Sequence, residues 1–223
     1  MTTQEFSHEF DVLFNSFGAS GYPGVTELDE YEKSVFLTEA QELIVKELYT
    51  GGVGVRGFEE TEEIRRELEG LVKTATLEKT EGSAISSNST FFTLPEDVWF
   101  ITYESADIEG AYCQGNPTVQ VIPMRQDEWH KAKGNPFKRP NKRKAVRLDC
   151  GNNKVEIISE SPVTKYLIRY LKRPNPIVLA NLDGLTINNT FRNITECELN
   201  PVLHRPILER AVALASRRVG KKE

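Results

Sequence analysis

The sequence predicts an α+β protein: a small helical bundle of three N-terminal helices and one C-terminal helix, an antiparallel β region inserted in it, and long extended loops. Three observations carry this prediction. Apolar residues recur at helical spacing over the first 72 residues; from Lys73 the pattern gives way to short β-rich runs; and helical spacing returns near the C-terminus. The expected division is a bundle of residues 1–72 and 200–223 around a β domain of residues 73–199.

The first helix is read from Phe6, Phe10, Leu13, Phe14 and Phe17, an aromatic face with Thr2 and Glu5 placed as a capping box and Gly18 as a stop. Gly18–Gly24, with Pro23, is a connector. A second helix starts near Asp29, with Glu32 three residues on, and runs to Tyr49, burying Val35, Phe36, Ala40, Leu43, Ile44 and Leu48. Glu59–Val72 reads as a third, with Ile64, Leu68, Leu71 and Val72 inward and an acidic first turn that suits the helix dipole.

Eight strand-like runs follow: Thr74–Thr80, Ser89–Leu94, Val98–Tyr103, Thr118–Met124, Ala145–Asp149, Lys154–Ser159, Tyr166–Leu171 and Ile177–Ala180. Cys150–Asn153 has turn chemistry, and Arg173–Pro176 breaks the last two runs apart because neither proline can donate to a ladder. Strands in succession without long helices argue for antiparallel pairing. The closing helix sets Leu203, Ile207, Leu208, Ala211, Leu214 and Ala215 at helical spacing, and is expected to return to the N-terminal helices. The long polar stretches Glu104–Asn116 and Arg125–Lys144 interrupt the sheet, with one helical turn at Asp127–Lys131; loops beyond ~12–15 residues are usually functional or disordered.

The net charge of −5 hides a strong asymmetry. Residues 1–70 carry −11, while residues 131–147 hold eight bases and no acid. A chain acidic at one end and basic at the other suits head-to-tail stacking of copies or partners. The basic segment, KAKGNPFKRPNKRKAVR, should repel itself into an extended arm unless anions receive it. Its candidate partner-binding residues are Lys138, Arg139, Lys142, Arg143 and Lys144, with Lys172 and Arg173 as a weaker pair. Three uses compete. It can dock on acidic protein, such as the acidic block of a neighbouring copy. It can bind nucleic acid through phosphates, though Phe137 is its one aromatic for stacking. Or it is a solvated loop.

Other motifs point away from chemistry. Gly52–Gly57 matches G-x-G-x-x-G, but a helix precedes it and Glu59-Glu60 would repel phosphate, so it reads as a helix–helix loop. His8, His130 and His204 are isolated from one another, and Cys113, Cys150 and Cys197 are scattered as reduced thiols are. No catalytic residue, metal or cofactor is expected. No window holds the ~18 apolar residues of a membrane span, and the first thirty residues lack a signal pattern, so synthesis in a cytoplasm is expected.

Taken in order, the blocks Gln4–Asp11, Leu28–Gln41, Pro136–Ala145, Tyr170–Ile177 and Cys197 through the closing helix resemble structural proteins of crAss-like tailed bacteriophages, and among them the ring-forming head–tail connector beneath the portal. The resemblance implies a non-enzymatic virion protein at the head–tail junction, made in the host cytoplasm. It implies a homo-oligomeric ring, twelve copies to match a portal, with the portal protein and the next ring or tail protein as partners. DNA would pass through its channel without sequence-specific binding, and no membrane is involved. The alternative from another class is a nucleic-acid-binding protein that uses residues 131–147.

Overall fold

In the computed structural model, residues 1–18, 28–51, 57–109, 117–182, 184–188 and 190–219 are described. The expected connector after Gly18, the loop at 52–56, residues 110–116 with Cys113, and the Phe17 side chain lie outside them. The chain divides into two units: Met1–Leu71 with Arg173–Glu223, and Val72–Lys172.

The first unit is built on helices α1 (Thr3–Gly18), α2 (Glu30–Thr50) and α5 (His204–Val219), with the six-residue α3 (Glu62–Glu67) beside them. Both N-terminal caps form as the sequence predicts. Thr2 and Glu5 bond reciprocally at 2.8 and 3.3 Å, and Asp29 and Glu32 do so at 2.7 and 3.3 Å. Phe6, Phe10, Leu37, Ala40, Ile207, Leu208 and Ala211 are completely buried where these helices meet. One charge is buried among them. Lys33 of α2 donates to Asp11 of α1 at 2.7 Å, to Glu30 at 3.0 Å and to Ser7 at 3.2 Å. Burial works against its ammonium, but the bonds to Asp11 and Glu30 outweigh it and raise its pKa above the ordinary lysine value.

The second unit is one eight-stranded sheet: β1 (Val72–Leu77), β2 (Lys79–Thr80), β3 (Ser89–Thr93), β4 (Val98–Ile108), β5 (Thr118–Pro123), β6 (Lys144–Gly151), β7 (Lys154–Ile158) and β8 (Val163–Lys172). Its order is β1-β8-β4-β5-β6-β7-β3-β2. The first and last strands in that order are separated in sequence by Glu78 alone, so the sheet must curl until its two ends adjoin. One face becomes an interior filled by Leu77, Phe92, Ala106, Val121, Ala145, Ile157, Tyr166, Ile168 and others, drawn from seven of the eight strands. On the opposite face α4 (Gln126–Ala132) lays Trp129 and Ala132 over Val146, Leu148 and Ile158. The β6–β7 hairpin turns on Asn152 and Asn153 at φ 50° and 56°, the left-handed pair that a two-residue hairpin requires.

The predicted fold class is therefore corrected. The dominant element is the curled sheet, and the protein is not a small helical bundle carrying a β insertion. Five helices form among the described residues, of which α3 has six residues and α4 packs on the sheet. The predicted third helix stops at Glu67, followed by a 3-10 turn at Glu69–Leu71, and Val72 already pairs with Leu171. The sheet is not wholly antiparallel either, since β5 and β6 run parallel, joined by the crossover through α4. Glu104–Ile108, expected in a loop, extends β4.

Ile177–Ala180, expected as a strand, makes only the single bridge Val178–Thr195. Its backbone is satisfied by side chains of α2 instead. Ser34 accepts from the Leu179 N–H at 3.0 Å, Thr38 from Ile177 at 3.2 Å, and Gln41 donates to the Asn175 carbonyl at 2.8 Å. Positions 34, 38 and 41 share one helix face, so this polar stripe does for the proline-marked segment what a neighbouring strand would do.

Candidate interaction surface

The basic segment does not run extended. After α4 the chain folds into two turns, each organised by an asparagine. The Asn135 side chain accepts from the Phe137 N–H at 2.9 Å, and its carbonyl accepts from Lys138 and Arg139 at 3.1 and 2.9 Å. The Asn141 side chain accepts from the Arg143 N–H at 2.9 Å, and Asn141 and Lys144 bridge through their backbones. The Gln120 N–H of β5 donates to the Arg143 carbonyl at 3.2 Å and ties the second turn to the sheet. Asparagine side chains thus supply acceptors that the repelling cations cannot, and the segment stays compact with its charges turned outward.

Lys138, Arg139, Lys142 and Arg143 are all exposed. Lys144 is half-buried, because its ammonium donates to the Phe137 carbonyl at 2.7 Å and braces one turn against the other. Phe137 stands between these cations with 89% of its surface open, the most exposed of the large apolar side chains described. The structure therefore brings the five predicted residues together, around an aromatic ring. Lys172 lies at the end of β8, and Arg173 belongs to the first unit, where its guanidinium holds Glu42 of α2 at 2.7 and 2.9 Å. Those two do not join the cluster.

The acidic N-terminal block is not uniformly available to a partner. Arg205 and Arg218 of α5 bind Glu9 and Glu39 at 2.9 and 2.7 Å, Arg210 binds Glu47, and Arg173 takes Glu42. A further group of acids gathers around α3. Glu59, Glu60 and Glu63 are exposed, and with Glu67 they make no ion pair among the described residues. Here an open hollow of 440 Å³ is lined by Glu62, Glu63, Arg66, Glu67, Asn200 and Val202. Burial, and then the charge of Glu63, raise the Glu67 carboxyl above its ordinary value. Val202 is 66% exposed at the same place.

One polar cluster inside the sheet had no sequence signal. Glu104 of β4, Arg147 of β6 and Tyr166 of β8 come from three strands and meet in the interior. Arg147 donates to Glu104 at 2.7 Å, and the Tyr166 hydroxyl donates to the other carboxylate oxygen at 2.6 Å. Burial raises the Glu104 carboxyl, opposed by Arg147 and the Tyr166 hydroxyl; burial and then the Glu104 charge push the tyrosine up. Asp149 stands 3.2 Å from the same guanidinium. The arrangement fastens three strands and fixes their register, since a slip of one residue would turn each partner to the other face.

The two turns go against the expected extended arm; the signals that could have found them are Asn135-Pro136 and Pro140-Asn141. The acidic start of α3 was visible, but the hollow was not, because Asn200 and Val202 come from the far end of the sequence.

The sequence family described as phage tail ring protein 3/4 matches residues 1–222. The chain is similar to Ring protein 3 of Bacteroides phage crAss001, with 49% identity over 222 residues that cover 96% of this chain and 95% of the relative. It is also similar to Ring protein 4/5 of the same phage, with 34% identity over 229 residues, 96% of this chain and 92% of the relative.

Proposed function

The chain belongs to the phage tail ring protein 3/4 family, as a structural ring protein of a crAss-like phage virion, and from that premise we propose that it forms a connector ring at the head–tail junction. The ring docks beneath the portal, twelve copies matching the portal's symmetry. It continues the channel through which DNA passes and carries the next ring or tail protein on its other side. One phage, crAss001, carries relatives named as different rings, which supports a stack of related rings in one particle.

The observation that carries this reading is the placement of Lys138, Arg139, Lys142, Arg143 and Lys144 on two braced turns around Phe137. A preorganised cationic surface with an apolar centre fits a protein partner, because its charges can be desolvated in place. Charge-assisted hydrogen bonds in such a setting contribute ~1.5–3 kcal/mol each, against ~0–1 kcal/mol for exposed ion pairs. Single-stranded nucleic acid would call for successive aromatic platforms, and this surface holds one ring.

Lys142→Glu with Arg143→Glu tests the reading without touching the Lys144 brace. The expected result is an unchanged melting temperature and loss of incorporation beneath the portal. Normal incorporation overturns it. A variant that still assembles, and loses only a steeply salt-dependent affinity for DNA, makes the surface a nucleic-acid contact instead.

A further inference from the structure

We infer that Phe137 of one copy seats in the α3 hollow of the next copy in the same ring, so that the chain carries both halves of its own ring contact. The inference rests on the ring reading and on no property of the portal.

Two independent features match. The first is the projecting ring. Phe137 is 89% exposed, yet its N–H is held by Asn135 and its carbonyl by Lys144, so little of its backbone freedom remains to be lost on docking. Lys138 and Arg139 flank it, both exposed. The second is the hollow, which offers exposed apolar surface at Val202 and the carboxylates of Glu63 and Glu67, while Glu62 on the same rim is already held by Arg66 at 2.6 Å. A phenyl ring would cover the valine while the flanking cations meet the carboxylates. Helix α5 and Arg173 already pair with Glu9, Glu39, Glu42 and Glu47 of α1 and α2, whereas Glu63 and Glu67 at the hollow keep their negative charge. The crowding of Glu63 against Glu67 is relieved by a cation from outside.

Knob and hollow are different patches of one chain, so the contact is heterologous. Contacts of that kind propagate head to tail and produce rings when the rotation closes. A self-complementary patch would instead stop at a dimer.

The test is a directed cross-link in the full chain. Phe137→Cys and Val202→Cys are made singly and together, with the native cysteines kept, and each protein is oxidised as assembled rings and as virions. The doubly substituted chain should give a ladder of covalent multimers on a non-reducing gel, and mixing the two single variants should give their heterodimer. Neither single variant alone should exceed the wild-type background. In parallel, Lys138→Glu with Arg139→Glu should abolish ring formation, and adding Glu63→Lys with Glu67→Lys should restore it. Rings that form without the cross-link, or a charge reversal that the compensating pair does not restore, overturn the inference. Cross-linked rings that fail to join the portal leave it standing and count against the connector reading instead.

Discussion

Thr38 and Ile177 exchange two hydrogen bonds across 139 residues of sequence. The threonine hydroxyl accepts from the Ile177 N–H at 3.2 Å and donates to its carbonyl at 3.4 Å. Both residues are buried, so no water stands in if the hydroxyl is removed. Thr38→Val keeps the shape and strands both backbone groups. We expect it to lower stability by ~1–3 kcal/mol for each group left unsatisfied, read as a shifted midpoint in denaturant unfolding. Val35→Thr, on a half-buried neighbouring position, should shift the midpoint far less.

The triad in the sheet gives a graded pair of variants. Tyr166→Phe removes one hydrogen bond to a buried carboxylate and should cost ~1.5–3 kcal/mol. Arg147→Met leaves Glu104 buried without its counter-charge and should cost more, ~3–5 kcal/mol. Its effect should also shrink as pH falls and Glu104 takes up a proton, whereas the Tyr166→Phe protein should track wild type more closely. Equal losses at every pH would mean that the three groups act as packing alone.

His204 sets an acid limit on the first unit. Its Nε2 bonds the Leu199 carbonyl at 3.0 Å and its Nδ1 faces the Met1 ammonium at 2.7 Å, with Phe6 against the ring. Burial comes first in lowering its pKa, the amino-terminal charge adds to that, and the bond to Leu199 opposes it. The folded pKa thus lies below the unfolded value of ~6.5. The unfolded chain takes up the proton first, so the contribution is fully present above pH ~6.5 and is lost as pH falls through the folded pKa. Melting followed between pH 7.5 and 5 should show this loss, and His204→Gln should flatten the profile. A profile unchanged by the substitution would assign the acid sensitivity to other groups.

Removing residues from Pro201 onward should uncover the Phe6 and Phe10 face, because Ile207, Leu208 and Ala211 cover it from α5. Aggregation on expression is the expected outcome. A soluble truncation that melts cooperatively would show that α1 and α2 bury that face without α5.

What could be read in the sequence was what depends on neighbours in the chain. The caps at Thr2 and Asp29, the spacing of α1 and α5, the Gly151–Asn153 turn and most strand positions are set within a few residues of themselves. The curl of the sheet is not, because it follows from β1 meeting β8 and β3 meeting β7 across long separations. The third helix was overextended for the same reason: Leu68, Leu71 and Val72 have helical spacing, and only the pairing of Val72 with Leu171 draws the chain into a strand. On the surface, the cations of residues 138–144 are plain in the sequence, whereas nothing local marks the polar stripe Ser34, Thr38 and Gln41, because its partner lies some 140 residues away.

Val72 opposite Leu171 means that the chain enters and leaves the sheet through two adjoining strands. Antiparallel partners stand ~4.5–5.5 Å apart, a gap that one or two residues can bridge. The hundred-odd residues between them behave as a cassette: a tight turn from Leu71 to Arg173 would excise them without stretching the helical chain. A phage lineage could in this way exchange the whole sheet, while the residues that bind α1, α2 and α5 together stay as they are.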